Sequence, residues 1–188
     1  RFMTQKPTYS VCVFCGSRFG RVGSYKDSAT ELGDALAKND MRLVYGAGDV
    51  GLMGAVASAT QRANGETFGV IPVHLLDQEV GKRDLTSFII TENMHERKKV
   101  MFMNADAIVT MPGGAGSLDE LFEVLTWRQL GLHKKPVYLL NINGFWDPLL
   151  ALLDHIIDEG FADPSFKDSL HVVDDVPALM DRLRADRS

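Results

Sequence analysis

Short apolar runs alternate with longer segments of helical period from one end of the chain to the other. Val11 to Phe14 reads as a strand, Ser24 to Asn39 as a helix with Leu32, Ala35 and Leu36 on one face, and Arg42 to Tyr45 as a second strand. Glycines lead into a helix from Leu52 to Ala63, closed by Asn64-Gly65 as a C-cap, and Thr67 to Ile71 makes a third strand before Pro72. Val73 to Leu85 is irregular and charged, and is expected as a loop that closes over a substrate; Ser87 to Ile90 is a short strand. Glu92 to Asn104 then reads as a helix and Ala105 to Thr110 as a strand. A glycine-rich turn follows, with a helix whose Leu121, Phe122, Val124, Leu125 and Leu130 recur at helical spacing. The strand Pro136 to Asn141, an Asn143-Gly144 turn, the helix Asp147 to Glu159 and the strand His171 to Val173 come next. A last helix opens at Asp174 or Asp175 with Pro177 in its first turn. Strands joined by crossover helices predict an α/β fold, a three-layer arrangement with a mostly parallel sheet covered by helices on both faces.

Composition narrows this picture. At 188 residues and 45% hydrophobic, the chain is expected to form one domain, over residues 8–186, with a sizeable core. Its net charge is -5, and the basic residues are scattered apart from Arg97-Lys98-Lys99, so no nucleic-acid partner is expected. Cys12 and Cys15 lie on one strand at a spacing that sends them to opposite faces, which argues for free thiols and a reducing, cytoplasmic setting. Their C-x-x-C spacing lacks the helix or second cysteine pair that redox or zinc chemistry requires. No apolar run reaches transmembrane length and the first residues lack a basic region followed by an apolar core, so neither membrane partner nor export is expected.

Three glycine-bearing turns fall at the carboxyl ends of expected strands: Cys15-Gly16-Ser17, Gly46-Ala47-Gly48-Asp49-Val50-Gly51, and Pro112 to Ser117. Ligands of open parallel sheets bind where such strand ends converge. The second turn matches G-x-G-x-x-G, but no carboxylate stands at Val70 to His74, where a dinucleotide fold places its ribose-binding acid; a tight, closely packed turn is the competing reading. The third turn has glycines that admit an anion to backbone N–H groups at a helix N-terminus, which adds roughly half a positive charge. Ser117-x-x-Glu120 beside it fits two readings. It is a capping box, or it is a hydroxyl and a carboxylate set beside a bound phosphorylated sugar. Met94-His95-Glu96-Arg97-Lys98-Lys99 is a solvated helix face, or a place from which Arg97 offers a planar fork to phosphate or to Glu120; His95 has no nucleophile partner in sequence. Trp127 is expected in the core. Met53, Met94, Met101 and Met103 are gap fillers or the wall of an apolar pocket.

Pro112-Gly113-Gly114-Ala115-Gly116-Ser117-Leu118-Asp119-Glu120 resembles the P-G-G-x-G-T-x-x-E signature of the Lonely Guy family of cytokinin riboside 5′-monophosphate phosphoribohydrolases, formerly labelled lysine decarboxylases. Cys12 to Ser17, Gly51-Leu52-Met53-Gly54, Met94 to Lys98 and Thr126 to Gly131 also look like family segments, in the family's order, so the resemblance spans about Ser10 to Val173. It implies a Rossmann-like domain that hydrolyses the N-glycosidic bond of an adenosine 5′-monophosphate, N6-prenylated or plain, releasing base and ribose 5-phosphate. It places the catalytic pair on Arg97 and Glu120, and nucleotide contacts on Ser17, Met94, Gly113, Gly114, Gly116 and Ser117. Gly48 of the second turn and Lys98 of the basic helix start join the expected substrate-binding set. The resemblance further implies a homodimer. Two positions depart from the family: Ser117 replaces the usual threonine and keeps its hydroxyl, while Ala47 interrupts a usual run of three glycines and restricts backbone approach there.

The chemistry follows from the residues. Departure of a purine from ribose passes through an oxocarbenium-like state, which a carboxylate stabilises, so Glu120 suits that role and Arg97 that of holding Glu120 ionised or gripping the substrate. Neither metal nor organic cofactor is expected. Asp119 and Glu96 are candidates, by proximity in sequence, for a second carboxylate that protonates the base. The competing function is a non-catalytic nucleotide-binding or carrier module on the same fold. A pyridoxal phosphate decarboxylase is third, because Lys98, Lys99, Lys134 and Lys135 all lie in charged runs.

Overall fold

Seven short strands, each too apolar to stand in water, pair side by side in the structure, a computed structural model that describes residues 8–77 and 84–188. In chain order the described elements are β1 (Ser10–Phe14), α1 (Gly23–Lys38), β2 (Arg42–Tyr45), α2 (Gly51–Arg62), β3 (Thr67–Pro72), β4 (Ser87–Thr91), α3 (Met94–Met103) and β5 (Ala107–Thr110). There follow α4 (Ala115–Gln129), β6 (Val137–Leu140), α5 (Asp147–Asp158), β7 (His171–Val173) and α6 (Val176–Arg187), with short 3-10 turns at Val73–Leu75, Ile142–Gly144 and Pro164–Ser169. The sheet runs β4-β3-β2-β1-β5-β6-β7 and every pairing is parallel. The α/β sheet expected from the alternation is therefore present, and each strand lies within two residues of its expected span.

The strand period of two divides the core. Val11 and Val13 of β1 join Leu32 and Leu36 of α1, Val56 of α2 and Leu179 of α6 on one face. Cys12 and Phe14 join Met101 of α3, Leu121 and Leu125 of α4 and Leu153 of α5 on the other. Each such fully buried leucine stabilises the fold by about 1.5–3 kcal/mol relative to exposure. The α1–α2 pair is interlocked backbone to backbone. A Cβ at Gly33 would overlap the Val56 carbonyl oxygen, and Thr60 Oγ1 donates toward Val56 O at 2.8 Å and Gly33 O at 3.2 Å. The layer of α3, α4 and α5 is more open, and its elements and their exits leave Met103, Leu130, Leu132, Leu152 and Phe161 exposed.

Local signals account for most boundaries. The expected C-cap at Asn64-Gly65 is a double hydrogen-bonded closure, with Asn64 N–H bonding Gln61 O at 2.9 Å and Gly65 N–H bonding Thr60 O at 2.8 Å. The left-handed residue is Asn64 (φ 59), while Gly65 lacks a Cβ because Ala37 crowds that position. Asp175, of the two candidates, caps α6 by accepting from Ala178 N–H at 2.8 Å. Helix α3 starts at Met94 rather than Glu92, because Asn93 Oδ1 caps it through Glu96 N–H at 2.9 Å and Glu96 Oε2 reaches back to Glu92 N–H at 3.1 Å. Glu96 is thus a helix-capping carboxylate. Of the expected substrate-closing loop Val73 to Leu85, residues 78–83 lie outside the described residues.

Candidate active site

From β1 the chain works outward through β2, β3 and β4 on one side, and from β5 through β6 and β7 on the other. The carboxyl ends of β1 and β5 therefore flank the topological switch, where open parallel sheets bind their ligands. A cavity of about 460 Å³ opens there. The two turns that floor it are tied directly: Gly16 N–H donates to Pro112 O at 3.0 Å, and Leu52 N–H at the start of α2 donates to Gly16 O at 3.1 Å.

Helix α4 begins at Ala115, and its N-cap is Gly114, which has no side chain with which to cap. Ser117 is therefore the third residue inside the helix and Glu120 lies nearly two turns in, so Ser117-x-x-Glu120 is not a capping box. The bland reading of that pair fails because the helix starts earlier than the box requires. Ala115, Gly116 and Ser117 of the first turn of α4 line the cavity, and a helix N-terminus favours an anion. The glycines before them divide the work. Gly113 admits Ser117, whose Oγ would overlap a Cβ there, whereas a Cβ at Gly114 or Gly116 would meet nothing within 4 Å.

Arg97 on α3 is 4% exposed. Its Nε donates to Val70 O at 3.0 Å, its Nη2 to Gly46 O at 2.6 Å and its Nη1 toward Met94 Sδ at 3.8 Å. The turn after β2 is shaped around this side chain: a Cβ at Gly46 would overlap the guanidinium, and Ala47, at φ 57, lays its methyl over Gly69. The departure at Ala47 is thus accommodated inside the protein. Glu120 stands close enough to β1 that its charge, after burial itself, helps push the Cys15 thiol far above its ordinary range; Cys12 is raised by burial and Glu120 in the same way. Both cysteines are unbridged and, being protonated, are poor nucleophiles.

The cavity brings together Ser17, Met94, Arg97, Gly113, Gly114, Gly116, Ser117 and Glu120 of the expected set. Two expected binders stand elsewhere. Gly48 is buried within its turn and Lys98 is 8% exposed, and neither lines the cavity. The Lys98 Nζ pairs with Asp119 Oδ2 at 3.2 Å and with Glu123. Burial lowers the Lys98 pKa, but the hydrogen bonds and negative charges of Glu123 and Asp119 together raise it above its ordinary value, so the ion stays charged. Asp119 is engaged there and Glu96 in its cap, which leaves Glu120 as the sole carboxylate among the described lining residues. His95 and Lys99 are exposed and outside the cavity. Trp127 packs edge-on against Phe102 at 5.1 Å, away from the site, and of the methionines only Met53 and Met94 reach the wall.

Sequence reasoning missed Arg18, Phe19, Tyr25 and Phe145 on the wall. Tyr25 and Phe145 meet edge to face at 5.7 Å. Phe145 follows the turn after β6, another strand end on the same side of the sheet, and that position is the signal that could have found it. Among the described lining residues there is no lysine that could form a Schiff base. No group of three or more His, Cys, Asp or Glu able to hold a metal occurs among the described residues. No described helix is long and apolar enough to cross a membrane.

A family model described as "Possible lysine decarboxylase" matches residues 53–183. The chain is 45% identical over 173 residues, 92% of its own length and 76% of the relative's, to the probable cytokinin riboside 5′-monophosphate phosphoribohydrolase LOGL9 of Oryza sativa subsp. japonica. It is 42% identical over 175 residues, 93% of its own length and 77% of the relative's, to the cytokinin riboside 5′-monophosphate phosphoribohydrolase LOG5 of Arabidopsis thaliana. Among solved structures, the Moco carrier protein of Chlamydomonas reinhardtii superposes with a TM-score of 0.72 over 96% of this chain and 98% of that one, at 20% identity. At that identity the likeness is one of fold.

Proposed function

The chain belongs to the Lonely Guy family of cytokinin riboside 5′-monophosphate phosphoribohydrolases, and on that footing we propose that it hydrolyses the N-glycosidic bond of adenosine 5′-monophosphate, N6-prenylated or plain. The observation that carries this reading is Glu120, the one carboxylate among the described lining residues of the cavity, beside an anion cradle and outside any helix cap. A carboxylate next to a bound phosphate costs repulsion, and a cationic transition state offsets it.

In this reading the 5′-phosphate rests on the N-terminus of α4 and the Ser117 hydroxyl, and the base lies toward the Met53, Tyr25 and Phe145 wall. Positive charge develops at C1′ as the bond to the base lengthens, and Glu120 stabilises it from close range. Water then adds its hydroxyl to C1′, guided by Glu120, and its proton ends on the departing base. Arg97 is fixed at Val70 O and Gly46 O, so its charge reaches the reacting centre without reorganisation. Gly48 and Lys98 are outside this scheme.

Incubation with AMP and with N6-prenylated AMP, followed by chromatography of the quenched mixture, is expected to show free base. Glu120→Gln keeps the size of the side chain and removes its charge, and turnover is expected to fall on the order of a thousandfold with the fold intact. Unchanged turnover in that variant ends the catalytic assignment. Nucleotide binding by the wild type without base release supports instead a carrier.

The open layer supports a homodimer. Met103, Leu130, Leu132, Leu152 and Phe161 are exposed on elements of one side of the sheet, and a homodimer through that side buries them. Light scattering behind size exclusion is expected to give twice the mass of one chain, and a single-chain mass at micromolar concentration overturns this. The two unbridged cysteines accord with the cytoplasm.

A further inference from the structure

Two of the residues lining the cavity are cations, Arg18 and Arg97. Arg97 is buried, and its Nε and Nη2 are committed to the carbonyls of Val70 and Gly46. A phosphate monoester carries close to two negative charges at neutral pH, about −1.5 to −2. The α4 N-terminus supplies only about half a positive charge against it. The cradle by itself therefore leaves the anion under-neutralised.

Arg18 is exposed and lines the same cavity, one residue beyond the Cys15-Gly16-Ser17 turn that is tied to Pro112. The backbone that carries it is held from two directions. Behind it stands Gly51, at φ 57, where a Cβ would overlap Ser17 and the Arg18 nitrogen. Ahead of it Lys26 Nζ lies 4.8 Å from the Phe19 ring centroid, and Gly20, at φ 72, folds against the Tyr25 ring. An arginine on a fixed segment at the cavity wall presents a planar fork suited to phosphate oxygens.

We propose that Arg18 is the specificity-determining residue for the 5′-phosphate, pairing with the anion seated on α4 and thereby separating nucleotides from nucleosides. For turnover this rests on the phosphoribohydrolase reading. For binding it does not, since ribose 5-phosphate would occupy the same cradle whether or not the enzyme cuts a bond.

The test measures ribose 5-phosphate and ribose binding by calorimetry, and AMP and adenosine turnover, in wild type, Arg18→Ala and Arg18→Lys. Arg18→Ala is expected to weaken ribose 5-phosphate about tenfold and to raise KM for AMP by a similar factor. Its kcat for AMP is expected to change less than about threefold, and adenosine turnover likewise, because the lost contact is made equally in ground and transition states. Arg18→Lys is expected to recover part of the affinity, and raised ionic strength to weaken the wild type more than Arg18→Ala. An equal loss toward AMP and adenosine, or unchanged ribose 5-phosphate affinity in Arg18→Ala, overturns the proposal. If the wild type releases no base yet Arg18→Ala still weakens ribose 5-phosphate, the catalytic reading falls and the assignment of Arg18 stands.

Discussion

After β2 the chain turns through Gly46-Ala47-Gly48-Asp49-Val50-Gly51, and after β5 through Pro112-Gly113-Gly114-Ala115-Gly116; both turns deliver a strand into a helix whose cap residue makes no side-chain bond. The first holds protein. A Cβ at Gly46 would overlap Arg97, one at Gly51 the Ser17–Arg18 backbone, and one at Gly54 would come within 2.9 Å of Asp49. The second holds open space, since Gly114 and Gly116 have nothing within 4 Å of the missing Cβ, and only Gly113 is occupied from inside. Two glycine-rich turns of like composition thus use the absent side chain in opposite ways. One lets the molecule close upon itself, and the other leaves room for a ligand. The G-x-G-x-x-G match falls on the turn that protein atoms fill.

Helix α3 stands between them and serves both. Arg97 faces the first turn, while its neighbour Lys98 reaches behind the second to Asp119 and Glu123 on α4. Adjacent helical residues point about 100° apart. Consecutive side chains can therefore brace two different walls, one by hydrogen bonds to carbonyls and the other by an ion pair.

At Gly46 the protein-filled turn leaves no room for a side chain. Gly46→Ala places a methyl where the Arg97 guanidinium lies. The guanidinium is the far end of a flexible side chain, but it is buried and doubly bonded, so it cannot yield without surrendering charge-assisted hydrogen bonds worth about 1.5–3 kcal/mol each. The expected result is a stability loss of about 2–4 kcal/mol in denaturant melts, together with a fall in kcat/KM of about a hundredfold or more. A Gly46→Ala protein with wild-type melting and wild-type turnover shows that Arg97 is not held by this turn.

These long-range relations also mark where sequence reading stops. The strands were legible because β1, β3, β5 and β6 are buried throughout and so are apolar runs, and α6 was legible because Asp175 and Pro177 are local signals. Two of the partners of Arg97 are backbone carbonyls 27 and 51 residues away, and a carbonyl carries no sequence signature. The start of α4 was hidden for a related reason. Its cap residue is a glycine, which makes no capping bond, while Ser117 and Glu120 imitate a capping box inside the helix. Lys98 joined the expected substrate-binding set from the basic helix start beside Arg97, and the 100° step between neighbouring helical residues sends it to Asp119 and Glu123 instead.

A methyl added at the open turn is expected to change stability in the opposite direction from one added at Gly46. Gly116 is the second residue of α4, and a Cβ there meets nothing within 4 Å. Replacing a helical glycine by alanine removes backbone freedom from the unfolded chain, so Gly116→Ala is expected to stabilise the protein by about 0.5–1 kcal/mol. The same methyl projects into the space where the 5′-phosphate is proposed to sit. Affinity for ribose 5-phosphate is therefore expected to fall about fivefold, roughly 1 kcal/mol, in the variant that melts higher. A variant that melts higher and binds as before would show that the anion does not rest on this turn, since no protein atom stands near enough to be the reason for the glycine.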